Sequence, residues 1–121
     1  MKNIQVTVYT KKRGRIDLNL EELNNFNFKT VIYHRIDGPA IIWYNQDGSV
    51  ECEYYHVNNK RHRLDGPAQI WYHEDGSVKD GFYYINNKEY KKEDYDNLIN
   101  EMKALPKSLR LVHELWWVRE L

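Results

Sequence analysis

Apolar and polar residues alternate over much of the chain, and that period predicts strands. From Met1 to Thr10, Ile4, Val6 and Val8 fall on one side and Gln5, Thr7 and Tyr9 on the other, which predicts a half-buried first strand. A turn at Gly14 follows, and Arg15 to Leu20 alternates again as its hairpin partner. Glu21 to Asn25 is polar and reads as one helical turn. Ala40 to Tyr44 predicts a strand, Asp47-Gly48 a hairpin turn, Val50 to Val57 the returning strand and Asn58-Asn59 the next turn. After Lys88 the period becomes helical. Glu93 and Asp94 open a helix carrying Tyr95, Leu98, Ile99, Met102 and Leu105, and Pro106 ends it. Ser108 is expected to cap a second helix with Leu111, Val112, Leu115, Trp116, Val118 and Leu121 on more than one face.

The middle of the chain states its pattern twice. His34-Arg35-Ile36-Asp37-Gly38-Pro39-Ala40 returns 28 residues later as His62-Arg63-Leu64-Asp65-Gly66-Pro67-Ala68, and Ile42-Trp43-Tyr44 returns as Ile70-Trp71-Tyr72. Asp47-Gly48-Ser49-Val50 and Asn58-Asn59-Lys60 repeat at the same interval without insertion or deletion. Such a repeat marks a stacked supersecondary unit. Residues 34–61 and 62–89 are the two full copies, residues 1–33 an N-terminal hairpin plus a degenerate copy in which Phe26 aligns with Tyr54 and Phe82, and residues 90–121 a helical cap. The expected fold is mainly β (α+β), one domain of stacked antiparallel β-hairpins in a meandering sheet, closed by one or two C-terminal helices.

Each copy implies mechanics. Gly38 and Gly66 are expected to supply positive φ in a tight Asp-Gly-Pro turn, and Pro fixes the entry to the next strand. Ala40, Ile42 and Tyr44 share one side, whereas Ile41 on the other side becomes Gln69, so the side carrying Trp43 and Trp71 is partly wet. On the returning strand the two copies conserve both parities. A bulge at Gly81, or cover on both faces, would account for this.

Charge changes the picture little. The chain has 18 basic and 18 acidic residues, which argues against a general polyanion binder. The basic excess is local, at Lys11-Lys12-Arg13-Gly14-Arg15. Cys52 is alone and no apolar run approaches a membrane span, so a cytoplasmic, reducing home without membrane attachment is expected. Ten Tyr and four Trp either fill a β-rich core or face a partner.

The strings HRxDGPA, xIWYxxDGSV and YYxxNNK at a fixed period, followed by KEYKKEDYDNLI, resemble the MORN-like repeats of small bacterial and bacteriophage proteins, including the YwqK-like antitoxins. The resemblance covers Tyr33 to about Ile99. It implies a non-enzymatic interaction module, and it is similar to phage accessory proteins that block host defence.

Candidate sites follow from these patterns. His34, Arg35 and Asp37 with His62, Arg63 and Asp65 can be read as a metal or acid-base cluster, but no Cys or further His completes it, and His56, His73 and His113 share no useful spacing. The better reading sets turn geometry, with Arg and His paired to the Asp. No phosphate loop, nucleophile elbow or paired-carboxylate motif is present, so no enzyme activity, cofactor or metal is expected. Lys11, Lys12, Arg13 and Arg15 offer an anion-binding alternative for nucleic acid, weighed below a solvated hairpin tip. Trp43, Trp71, Tyr55, Tyr83, Trp116 and Trp117 are the candidate protein-binding residues, with core packing an equal alternative for the tryptophans. The expected partner is another protein, a bacterial host protein. Two full copies are fewer than a stack needs, so the degenerate ends complete it or a second chain does as a homodimer.

Overall fold

A computed structural model describes residues 3–106 and 109. The strands are β1 (Ile4–Thr10), β2 (Gly14–Asn19), β3 (Ile41–Tyr44), β4 (Val50–Tyr54), β5 (His56–Val57), β6 (Lys60–Arg61), β7 (Gln69–Tyr72), β8 (Val78–Ile85) and β9 (Lys88–Tyr90). The helices are α1 (Leu20–Asn25) and α2 (Lys92–Lys103). Seven strands form one antiparallel sheet in the order β2-β1-β3-β4-β7-β8-β9, and β5 and β6 form a separate small hairpin. The mainly β expectation with a C-terminal helix holds. The second helix expected from Ser108 lies outside the described residues except for Leu109.

Local chemistry explains the punctuation. Asn19 opens α1 with a capping box, its side chain accepting the Glu22 N–H at 2.9 Å while the Glu22 carboxylate accepts the Asn19 N–H at 3.2 Å. Asn58 and Asn59 take φ of 53° and 67°, and Asn86 and Asn87 take 53° and 72°. Both central residues of each turn are left-handed, which matches the twist of a two-residue hairpin.

These asparagine turns also tie one unit to the next. The Asn59 N–H donates to the Tyr33 carbonyl at 2.8 Å, and its side chain accepts the Tyr33 N–H at 3.3 Å. Asn87 does the same to Arg61, at 2.8 and 3.3 Å. Beside each lock a histidine Nδ1 accepts a backbone N–H: His34 from Asn58 and His62 from Asn86, both at 3.0 Å. The histidines therefore serve the hairpin of their own copy, and their bonds run to backbone rather than to Asp37 or Asp65.

Three expectations are corrected. Gly38 and Gly66 do not take positive φ. They are needed because the arginine of their own turn lies against them: a Cβ on Gly38 would stand 2.7 Å from Arg35 Cζ, and one on Gly66 2.9 Å from Arg63 Cζ. Held there, Arg63 donates to Asp65 at 2.9 Å and to the Pro67 carbonyl at 3.1 Å, and its Cζ lies 4.0 Å above the Tyr55 ring. Arg35 repeats the arrangement with Asp37, Pro39 and the Tyr9 ring. Gly66→Ala is expected to displace Arg63 and cost about 1–2 kcal/mol in urea unfolding. In an Arg63→Ala background the same change should cost far less, and an equal cost in both backgrounds would refute the close-approach explanation.

The second correction concerns the bulge. Register shifts by one residue between Trp43↔Cys52 and Tyr44↔Val50, and again between Trp71↔Asp80 and Tyr72↔Val78, so the extra residues are Glu51 and Lys79. Gly81 instead makes room for Pro67, whose ring carbons lie 3.3 Å from where its Cβ would be. The third concerns the degenerate copy. Val8, not Phe26, occupies the ladder position of Tyr54, because Val8 pairs with Ile41 as Tyr54 pairs with Gln69. Phe26 follows α1 and packs with Phe28 and Leu23 on the cluster of Val6, Val8 and Leu18. Hence β1 supplies the returning strand of the missing first copy, and Ile32-Tyr33 its closing piece: the Lys11 N–H donates to Ile32 at 2.9 Å, and Tyr33 bridges Thr10.

Two apolar clusters hold the ends of the stack. The first is Val6, Val8 and Leu18, and the second joins Ile85 to Tyr95, Ile99 and Met102 of α2. Between them Ala40, Ala68, Ile70 and Cys52 are buried.

Candidate interaction surface

Residues directly opposite on neighbouring strands share a face of the sheet. The register Val6↔Trp43, Trp43↔Cys52, Cys52↔Trp71 and Trp71↔Asp80 therefore puts both tryptophans on one face, as expected from the repeat. The partners Ile41↔Tyr54, Tyr54↔Gln69 and Gln69↔Phe82 add Tyr54 and Phe82 to that face. Thr7, Ile42, Glu53 and Ile70 lie on the other, with Ile70 buried.

Cover over the aromatic face is uneven. At the N-terminal end α1 and the segment after it spread Leu23, Phe26 and Phe28 across the sheet, and Trp43 packs against that cluster while remaining half-buried. Further along, Trp71 is half-buried and meets Tyr54 edge-on at 6.5 Å, and Phe82 is 36% exposed. Neither Tyr54, Trp71 nor Phe82 belongs to an apolar cluster of the described residues. The surface is aromatic, with Gln69 set between Tyr54 and Phe82 and Asp80 beside Trp71.

Tyr55 and Tyr83 do not join it. Tyr55 lies beneath the Arg63 guanidinium, and the Tyr83 ring packs 4.7 Å from Tyr95 of α2. Both serve the stacking of turns and cap. Trp116 and Trp117 lie outside the described residues. Conversely, Tyr54 and Phe82 were missed as surface residues. Their parity with Trp43 becomes readable only once the extra residue at Glu51 and Lys79 is counted.

The other candidates are engaged within the fold. Among the described residues no three His, Cys, Asp or Glu side chains converge as metal ligands. Burial pushes His62 down from 6.5 to about 4, and burial with the charge of Arg61 does the same to His56. Burial, then Lys11, also lowers His34. The Cys52 thiol is pushed up to about 11, chiefly by burial, and is protonated at neutral pH. A cleft of about 390 Å³ between the two Asp-Gly-Pro turns is lined by Arg35, Asp37, Tyr55, His62, Arg63 and Asp65, with each arginine already paired to its own aspartate. Of the basic run, Lys11 donates to the Asn58 side chain at 3.0 Å and Arg15 pairs with Asp17 at 3.1 Å, leaving Lys12 and Arg13 exposed at the tip. The Thr7 hydroxyl, then Arg15, lowers Asp17. No described helix is long and apolar enough to cross a membrane. Compared with known proteins, the chain matches no family model, no curated protein and no solved structure.

Proposed function

We propose that this chain is a non-enzymatic binding module that occludes another protein through the sheet face of Trp43, Tyr54, Trp71 and Phe82. The observation that carries the reading is the placement of Trp43 and Trp71 at equivalent positions of successive copies, on one face, beside the exposed Phe82. Large aromatics at a surface supply most of the energy of protein interfaces, and such surfaces are otherwise costly to leave in water. The MORN-like repeat pattern favours the same class, and within it the most concrete role is a phage- or bacteria-encoded, cytoplasmic inhibitor of antitoxin-like type directed at a host protein. Two of the four basic side chains at 11–15 are bonded within the chain, which weakens the anion-binding alternative.

The test is capture from bacterial lysate with the tagged chain beside a Trp71→Ala variant of unchanged circular dichroism. One protein should be enriched, survive high salt, and bind the variant roughly 30-fold or more weakly, the loss expected of an aromatic hot spot. A partner bound equally by both, or only nucleic acid released as salt rises, would overturn the reading.

A further inference from the structure

The aromatic row does not end as it begins. Trp43 stands between Val6 and Cys52, both buried, whereas Trp71 stands between Cys52 and Asp80. Asp80 is exposed, and residues directly opposite on neighbouring strands hold their Cβ atoms about 4.5–5.5 Å apart. A carboxylate therefore lies beside the indole, close enough for one bound group to touch both. Among the described residues no hydrogen bond or ion pair engages that carboxylate. The neighbouring chain adds to its field: from Val50 to Tyr54 and from Gln69 to Phe82 the charged side chains are Glu51, Glu53, Glu74, Asp75 and Asp80 against Lys79. A cation is favoured here.

The chain itself shows which cation an aspartate beside an aromatic ring takes. Arg63 pairs with Asp65 at 2.9 Å while its Cζ lies 4.0 Å from the centre of the Tyr55 ring, and Arg35 pairs with Asp37 at 3.0 Å while its Cζ lies 4.0 Å from that of Tyr9. A guanidinium serves both partners at once, because it is planar, stacks on a ring face and offers donors in its own plane to a carboxylate. A lysine ammonium is a compact, strongly hydrated charge and lacks that fork. At Trp71 and Asp80 the ring and the carboxylate are in place, and no described residue supplies the arginine. Resting on the binding-module reading above, we propose that this end of the face is an arginine-recognition site: an exposed arginine of the partner protein lays its guanidinium on the Trp71 indole and donates to the Asp80 carboxylate. Indole is the best ring for such a contact. Tyr54 and Phe82, on the same face, give apolar surface to the methylene stem.

The test titrates the full isotope-labelled chain, followed by NMR, with the capped peptide acetyl-Gly-Gly-Arg-Gly-Gly-amide and with the same peptide carrying lysine or citrulline, the neutral isostere of arginine. The arginine peptide should move the Trp71 indole N–H, identified by its loss in Trp71→Phe, and the Gly81 amide. Citrulline, which loses both the ion pair and the cation–π contact, should bind roughly tenfold more weakly. Asp80→Asn, at an exposed position, should weaken the arginine peptide roughly three- to fivefold, and Asp80→Glu should retain most of the affinity. Arginine and citrulline bound alike, arginine and lysine bound alike, or an Asp80→Asn variant that binds as the parent does would each overturn the inference. Its failure is distinct from that of the binding module. A lysate protein lost with Trp71→Ala but held undiminished by Asp80→Asn removes the arginine and leaves the module, whereas arginine-specific shifts without any captured protein leave the site and remove the module.

Discussion

Lowering the pH from about 7 to about 4 should strip several kcal/mol from the folded state before most carboxylates are protonated. His56 and His62 ionise near 4 in the fold, against 6.5 without it. Between those values the unfolded chain binds more protons, so stability is fully present above about 6.5 and falls as the pH drops toward 4. Each imidazole contributes about 2–3 kcal/mol to that loss. For His62 the cause is geometric as well as dielectric: its Nδ1 must stay unprotonated to accept the Asn86 N–H. The depressed carboxylates Asp17, Asp37, Asp47 and Asp75 act in a lower window, their stabilisation lost as the pH falls below the ordinary carboxylate range. Urea midpoints measured across this range would show the slope. His62→Asn places an amide oxygen where Nδ1 stood, keeps the acceptor and removes the titration, so it should flatten the profile by about half. A midpoint that is the same at both ends of the range would dispose of the idea.

Tyr95→Ala should be the most damaging single substitution at the C-terminal end, at about 3–5 kcal/mol. The side chain is 3% exposed, and its ring packs on Tyr83 within the cluster that holds α2. Its hydroxyl accepts the Gly66 N–H at 3.3 Å and donates to the Arg63 carbonyl at 2.7 Å. Burial pushes the hydroxyl up to about 12, so the donor is retained at any ordinary pH. Tyr95→Phe isolates the polar part and should cost about 1–3 kcal/mol, because it strands a backbone donor and acceptor away from water. In a domain of ordinary stability, about 5–15 kcal/mol, the alanine variant approaches the point where the cap no longer holds. Urea unfolding of both variants separates the terms. If Tyr95→Phe unfolds at the parental midpoint, the hydroxyl does not join cap to turn.

The architecture was readable because its signals are local. Alternation over Ile4 to Thr10, left-handed turns at Asn58-Asn59 and the helical spacing of Tyr95, Ile99 and Met102 each follow from backbone preference and one buried face. What failed depends on contacts distant in the chain or on tertiary approach. Gly38 resembles a turn glycine, and nothing in its neighbours says that a guanidinium will rest on it. Phe26 fits the repeat by alignment, yet β1 takes that place because its valines can be buried on one face under α1. The aromatic face was half readable: Trp43 and Trp71 repeat visibly, whereas Tyr54 and Phe82 fall in with them only through the register shift at Glu51 and Lys79. Tyr55 and Tyr83 look the same in sequence, and only the arginine and helix that cover them distinguish their role.

The locks between units have an evolutionary corollary. Asn59 reaches Tyr33 and Asn87 reaches Arg61, while Arg35 rests on Tyr9 and Arg63 on Tyr55, so every such bond spans one unit and no further. A duplicated 28-residue segment inserted at the boundary between Arg61 and His62 would meet the same neighbours on both sides as the present copies do. The β1–β2 hairpin would still close one end and α2 the other. Unequal recombination at the gene can therefore lengthen or shorten this protein in whole units, changing the size of its aromatic face in steps while neither end needs a new solution.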